Sequence, residues 1–356
     1  MKRKNLIVKR KAKKNFFFIK DSKTNEFYKK FEKIILNSIK KESFAVAVSG
    51  GADSLCLAYF SKIYKNKFKN KVLFLIVNHN LRKESSIEAY KVKSILKKKG
   101  IESKILNWKG KVPTKNIQSN ARNMRYNLLS SSCLKKNIKY LITAHHLDDQ
   151  IENFFIRLFR GSGVTGLSSM QETVIYNNKL KIVRPFLKLE KKNLQYVTSN
   201  YFKTYIKDPS NKDEKFLRVR IRKYRNDMEK EGLDTKKIIN TVNNLFSANK
   251  ALNFYKNKAL YKHASFLTES ECLINRQIFS DEAGEIIFKS FSDILSLVSG
   301  KYYPPRSKKV LNLINRVKKN KFKKSTLGGC VIDSRGNLIS ITKEHKIKGA
   351  PLRLHK

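Results

Sequence analysis

The sequence predicts an α/β fold: a mostly parallel sheet with helices on both faces, followed by a mainly helical region and a small C-terminal α+β segment. Three observations carry this. Short apolar runs alternate with helix-spaced stretches between Phe44 and Arg160. Polar or glycine-rich clusters follow three of those runs. After Met170 the alternation stops. Strands alternating with helices imply βαβ units, and ligands of such sheets bind at the carboxyl ends of strands.

Taken in order, Phe31, Ile34, Ile35 and Ile39 have helical spacing. Phe44–Val48 is a short apolar run ending in Ser-Gly-Gly and reads as a buried strand. Leu55 to Tyr64 reads as a helix, and Val72 to Val77 as a second buried strand. Ser85 to Lys99 is helical and stops at Gly100, a C-terminal glycine signal. Ile101 to Trp108 is a third strand, Gln118 to Leu134 a helix, Tyr140 to Ala144 a fourth strand, and Asp148 to Arg160 a helix. Asp208-Pro209-Ser210-Asn211 is a turn, and basic helical sequence runs from Phe216 to about Lys262. Tyr302-Tyr303-Pro304-Pro305 breaks the chain, and Thr326 to Ile332 reads as a short strand or hairpin. These boundaries predict a basic extension over 1–25, a catalytic domain over 26–215, a helical region over 216–300 and a small segment over 301–356.

Composition narrows the function. The 356 residues are 40% hydrophobic and 11% aromatic, enough for a real core. No run of about 18 apolar residues occurs, so a membrane span is not expected. The basic start lacks an apolar run with a cleavage site, so no secretory signal is expected. Cys56, Cys133, Cys272 and Cys330 form no CxxC pair, which fits reduced thiols in a cytoplasm. The net charge of +50 favours a polyanionic partner, with nucleic acid first, although abundant Lys, Asn, Ile and Phe also reflect codon bias.

Ser49-Gly50-Gly51-Ala52-Asp53-Ser54 lies between a strand and a helix, which makes an anion site. Glycines let backbone N–H groups approach a phosphate, and the helix adds the positive end of its dipole. No Gly-Lys-Ser/Thr follows, so this is not a Walker A loop. Asp53 beside a polyphosphate would be repelled unless a cation bridges them, so Mg²⁺ is expected there. An ordinary glycine turn capping a helix would use the same residues.

Thr143 to Asn153 holds His145, His146, Asp148, Asp149 and Glu152. On a helical wheel Ile151, Phe154, Phe155, Leu158 and Phe159 gather on one side, expected against the sheet, and Asp149, Asn153, Arg157 and Arg160 gather opposite. Helix-dipole complementation would explain the two aspartates but not the histidines and Glu152 beside them. Gly161 to Leu167 forms a donor-rich loop, and Arg122 and Arg125 share a helix face suited to phosphate clamping or to solvent.

Together these segments resemble the tRNA(Ile)-lysidine synthetases of the PP-loop (N-type) ATP pyrophosphatase superfamily, whose domain is adenine nucleotide alpha hydrolase-like. The resemblance covers roughly 40–225. It rests on the Ser49–Ser54 segment, Val77-Asn78-His79-Asn80-Leu81-Arg82, Ala121 to Tyr126, Thr143 to Glu152, Arg160 to Leu167, Arg184-Pro185 and Asp208 to Asn211. Asn78 stands where the family usually has Asp.

The resemblance implies a two-step ligation. ATP adenylates O2 of the wobble cytidine in a CAU-anticodon tRNA(Ile), and the amine of L-lysine then displaces AMP from C2. It implies ATP contacts from Ser49, Gly50, Gly51, Ala52, Asp53, Ser54, His79, Arg125 and His145. Catalytic roles fall to Asp53, Asp148, Asp149 and Arg122, with Asp53 also on the metal. Asp149 and Glu152 would meet lysine, and Arg160, Arg218, Arg220 and Arg222 the tRNA. A cytoplasmic location without membrane contact is expected, and a homodimer is one assembly that the sequence leaves open. Two alternatives stay open: a PP-loop tRNA thiolase, and a noncatalytic basic RNA-binding protein.

Overall fold

β1 (Phe44–Val48) shows how the sheet is built. Phe44, Val46 and Val48 face one side, in a core with Phe31, Phe60 and Phe186, while Ala45 faces the other side with Leu129 and Leu141. The period-two alternation of strand side chains thus feeds two hydrophobic cores, one per face. The computed structural model describes residues 19–81, 84–110, 117–168, 170–176, 179–206, 213–215, 217–301, 304–319 and 322–344. Three earlier expectations, the turn at Asp208 to Asn211, Arg82 and most of the basic extension, lie outside them.

The described residues fall into two compact units. In the first, α1 (Ser22–Ser38) precedes β1, then α2 (Ala52–Phe68), β2 (Val72–Asn78), α3 (Ser85–Lys98), β3 (Ser103–Asn107), α4 (Ile117–Leu134), β4 (Tyr140–Ile142) and α5 (Leu147–Leu158) follow. After an eight-residue excursion carrying α6 (Val164–Leu167), which belongs to the second unit, come β5 (Thr173–Tyr176), β6 (Leu180–Val183), α7 (Lys191–Phe202) and α8 (Leu217–Lys230). The sheet order is β3-β2-β1-β4-β6-β5, parallel except for the β5–β6 pair. From β1 the chain builds outward to β3, then returns to lay β4 on the opposite side of β1. That reversal opens a crevice at the carboxyl ends of β1 and β4.

The second unit begins, apart from the excursion, with α9 (Thr235–His263). It continues through β7 (Ala264–Thr268), β8 (Glu271–Asn275), α10 (Ile278–Asp281), α11 (Gly284–Ser299), α12 (Ser307–Lys318), β9 (Lys324–Leu327), β10 (Cys330–Arg335) and β11 (Leu338–Lys343). Its antiparallel sheet, β7-β8-β11-β10-β9, packs Ile274, Ile332 and Ile341 against Phe291 and Leu295 of α11 and Leu313 and Val317 of α12.

The structure differs from the sequence expectation at Gly161–Leu167, where the expected loop carries α6, and in three further places. The helical stretch from Phe216 breaks into α8 and α9 around Gly232, whose φ of +85° only glycine adopts readily. The β7–β8 hairpin interrupts the region expected to be helical to residue 300, because β8 pairs with the far-downstream β11. On α5, Ile151, Phe154 and Phe155 are buried as expected, but Leu158 and Phe159 are exposed, and Glu152, at the edge of the apolar side, is buried.

Candidate active site

The loop after β1 is shaped by close contacts. Gly50 has φ +90°, and a Cβ there would lie 2.4 Å from Val92 Cγ2. Only glycine fits, and the Gly50 carbonyl accepts the Ile206 N–H at 2.9 Å. The Ser54 hydroxyl works inside the loop. Its oxygen accepts the N–H groups of Ser49 and Gly50, each at 3.1 Å, and it donates to the Gly51 carbonyl at 3.0 Å. Ser54 thus holds the turn, while exposed Ser49 lies at its rim. Gly51 is the N-cap of α2 and offers no side-chain cap, so the first-turn amides from Ala52 onward meet no capping side chain. Those amides and the helix dipole form the anion-attracting end of the loop.

Asp53 stands in that first turn. Its Oδ1 is buried and without a hydrogen-bond partner, and its Oδ2 lies 3.6 Å from His146 Nε2. A buried carboxylate oxygen with no donor is costly unless a cation or ligand completes it. Beside a phosphate cradle, this donor suits Mg²⁺, which binds through one or two carboxylates together with phosphate oxygens.

His146 joins the two strand ends. It is the N-cap of α5 in a capping box: its Nδ1 accepts the Asp149 N–H at 3.4 Å, and Asp149 Oδ2 accepts the His146 N–H at 3.1 Å. That arrangement places the ring proton on Nε2, which lies 3.5 Å from Asp149 Oδ2 and 3.6 Å from Asp53 Oδ2. Burial works against a charge on this ring, but hydrogen bonding to Asp53 and the fields of Asp149, Asp53 and Asp148 outweigh it and raise the pKa. A second proton would enter at Nδ1, 3.7 Å from Asp148 Oδ2, at the expense of the cap. Sequence reasoning did not give His146 a role. The signal was present, since it precedes a helix with an acid three residues on.

The other two acids of this helix face arginines. Glu152 is 3% exposed and pairs with Arg222 through two contacts, Nε–Oε1 at 2.5 Å and Nη2–Oε2 at 3.3 Å, with Arg218 Nε 3.8 Å away. Asp148 accepts Arg225 Nη1 and the Lys191 N–H, each at 2.8 Å. Burial alone would raise the Asp148 pKa, but those two donors, with Arg225 and His146, lower it overall. Among the described residues, Asp53 and Asp149 have only His146 as an ion-pair partner.

The remaining expected residues divide similarly. Arg125 Nε donates to His79 Nε2 at 3.2 Å, bringing that pair together. Burial first, then Arg125, pushes the His79 pKa down to about 4, so the ring is neutral at pH 7. Asn78 knits the β2 turn by donating to Ser86 and Asn107 and accepting the Asn80 N–H. His145 sits against Thr143, and burial followed by Arg184, Arg122 and Arg218 holds its pKa well below the ordinary value. Arg184 also went unassigned from sequence. Arg122 is exposed with its guanidinium over the Tyr126 ring. Arg160 is exposed at the end of α5, and Arg220 donates to the carbonyls of Glu214 and Lys215. All four cysteines are buried, and burial, then Asp53, raises the Cys56 thiol pKa well above the usual range. No group of three or more His, Cys, Asp or Glu among the described residues could hold a metal by itself.

The profile of the PP-loop domain family matches residues 23–227. The tRNA(Ile)-lysidine synthase of Wolbachia pipientis wMel is 36% identical, over 84% of this chain and 70% of its own. That of Orientia tsutsugamushi is 32% identical, over 84% and 69%. That of Rickettsia bellii is 33% identical, over 89% and 74%. In fold, the chain is similar to a U34-tRNA thiolase from Methanococcus maripaludis, with a TM-score of 0.54 and 20% identity over 63% of this chain and 80% of that one.

Proposed function

We infer the work of individual residues from one premise: the chain belongs to the tRNA(Ile)-lysidine synthases, which carry the PP-loop domain. It is an ATP-dependent ligase acting on tRNA. The reaction we assign joins L-lysine to C2 of the wobble cytidine in a CAU-anticodon tRNA(Ile), so that the tRNA reads AUA. The observation that carries the residue assignments is the convergence of Asp53, His146 and Asp149 at the switch between β1 and β4.

In the first step O2 of cytidine attacks the α-phosphate and pyrophosphate leaves. The α2 amides and Ser49 receive the triphosphate, and Arg122 and Arg125 supply charge to it. Asp53 would hold Mg²⁺, which neutralises the phosphates when bound. Neutral His79 and His145 add hydrogen bonds without adding charge. In the second step the lysine amine attacks C2, the C2–O bond to AMP breaks, and the ammonium proton goes to a carboxylate. Asp149 fits this role because its side chain contacts His146, while Arg222, whose field reaches it, is hydrogen-bonded to Glu152 instead. Asp148 and Glu152, tied to Arg225 and Arg222, hold α8 against α5 instead of meeting substrate. The same pairing leaves Arg160 and Arg218 as the freer contacts for tRNA.

A cytoplasmic location completes the proposal. No helix of the described residues is long and apolar enough to cross a membrane. The deciding experiment is ATP-dependent incorporation of labelled lysine into CAU-anticodon tRNA(Ile), with a CAU-anticodon methionine tRNA as control. No incorporation by a folded, ATP-binding preparation overturns the reading. The thiolase alternative needs a reactive thiol, and the buried cysteines supply none. Alanine at Cys56 should therefore leave lysine transfer within about threefold once stability is matched.

A further inference from the structure

We infer that the exposed face of α9 is a stacking platform for unpaired bases of the tRNA, an assignment that rests on the ligase reading above. α9 runs 29 residues. Its buried residues, among them Ile238, Val242, Ala259 and His263, already supply its core face. Its large aromatics lie elsewhere. Phe254 is 65% exposed, Tyr255 56% and Tyr261 93%. Exposed aromatics of this size on a helix that has its core contacts call for a ligand.

The spacing and the charge identify that ligand. Phe254, Lys258 and Tyr261 stand at i, i+4 and i+7, one above another on a single helix face, with Lys250 one turn before. The two rings are about 10 Å apart along the axis, with an ammonium between them. No Asp or Glu occurs from Thr235 to Thr268. Lys256 and Lys262 are bound to Asp293 and Asp281, while Lys250, whose ammonium lies over the Phe246 ring, and Lys258 are exposed beside Phe254 and Tyr261. Aromatic faces interleaved with lysines on a helix without acids of its own suit single-stranded nucleic acid: rings stack on bases and ammonium groups meet phosphates. A second copy of this chain fits less well. In a two-fold contact the face would meet itself, setting lysine against lysine, and the carboxylates that reach α9, Asp281 and Asp293, are already paired with Lys262 and Lys256. The platform also fills a need, since Arg222 and Arg225 of α8 are turned inward onto Glu152 and Asp148.

The test measures affinity of the full chain for CAU-anticodon tRNA(Ile) by filter binding, together with steady-state kinetics and sedimentation. Phe254→Ala/Tyr261→Ala removes only exposed rings, so its unfolding midpoint should match wild type. Its Kd for tRNA should rise at least tenfold. The KM for tRNA should rise in step, while kcat at saturating tRNA stays within about twofold. Lys258→Gln should lower the slope of log affinity against log salt by just under one. Unchanged tRNA affinity in the double variant overturns the platform. So does loss of self-association with tRNA affinity intact, which would make the face a contact between copies. Wild type that binds tRNA but forms no lysidine would sink the ligase reading alone, and the binding comparison would still decide the platform.

Discussion

Two sets of carboxylates lie near the start of α5, and they meet different surroundings. Asp53 and Asp149 gather around His146 at the strand ends, while Asp148 and Glu152 point to α8 and are held by Arg225 and Arg222. In a chain of +50 net charge, acids are scarce and cations are everywhere. The difference shows that a carboxylate stays available for magnesium or an ammonium substrate where the nearby arginines are hydrogen-bonded to other acids. Asp53 manages this from the start of α2, and Asp149 by sharing a capping box with a histidine.

That contrast can be broken most sharply at Asp53. Asp53→Asn keeps the shape but removes the charge, and lysidine formation should fall roughly 100- to 1000-fold with the unfolding midpoint nearly unchanged. Full ATP-dependent activity in this variant would remove the magnesium role. Asp149→Asn should cost roughly 100-fold or more in lysine transfer. Asparagine can still accept the His146 N–H through Oδ1, so release of pyrophosphate with tRNA and ATP should persist; equal loss of both steps would argue against an amine-directed role.

On the α8 side the prediction concerns stability. Arg222→Met leaves Glu152 buried with only the more distant Arg218, and should destabilise the first unit by about 2–3 kcal/mol. Adding Glu152→Gln should recover part of that loss in thermal unfolding. A single variant as stable as wild type would mean that the pair does not hold α8.

The smallest effect is a pH dependence. The native pKa of Asp148 is lowered, so its stabilising contribution is present above the unfolded carboxylate value near 4 and is lost as pH falls through the native one. Wild type should therefore lose stability below about pH 4 more steeply than Asp148→Asn. Parallel acid unfolding curves would show that the Lys191 N–H and Arg225 together do not perturb this group.

Much of this protein was legible in its sequence. Buried parallel strands read as apolar runs such as Phe44–Val48, so the βαβ alternation and the site's place at strand ends followed. Gly50 was legible too, because a phosphate-binding turn needs a residue that tolerates positive φ. The position of Asp149 in a first helical turn came from the same local pattern, whereas α2 begins at Ala52 and takes in Asp53, which the sequence left before the helix. What only the tertiary structure decided is the division of labour among neighbours. Asp148, Asp149 and Glu152 read alike in sequence, yet Arg222 and Arg225, far downstream, claim two of the three. The β7–β8 hairpin was hidden for the same reason, because β8 pairs with β11 across most of the second unit. Helical period and strand alternation are local, so the chain displays them directly. Ion pairs and sheet partners are chosen by which distant segments the packed core brings together, and no local pattern records that choice.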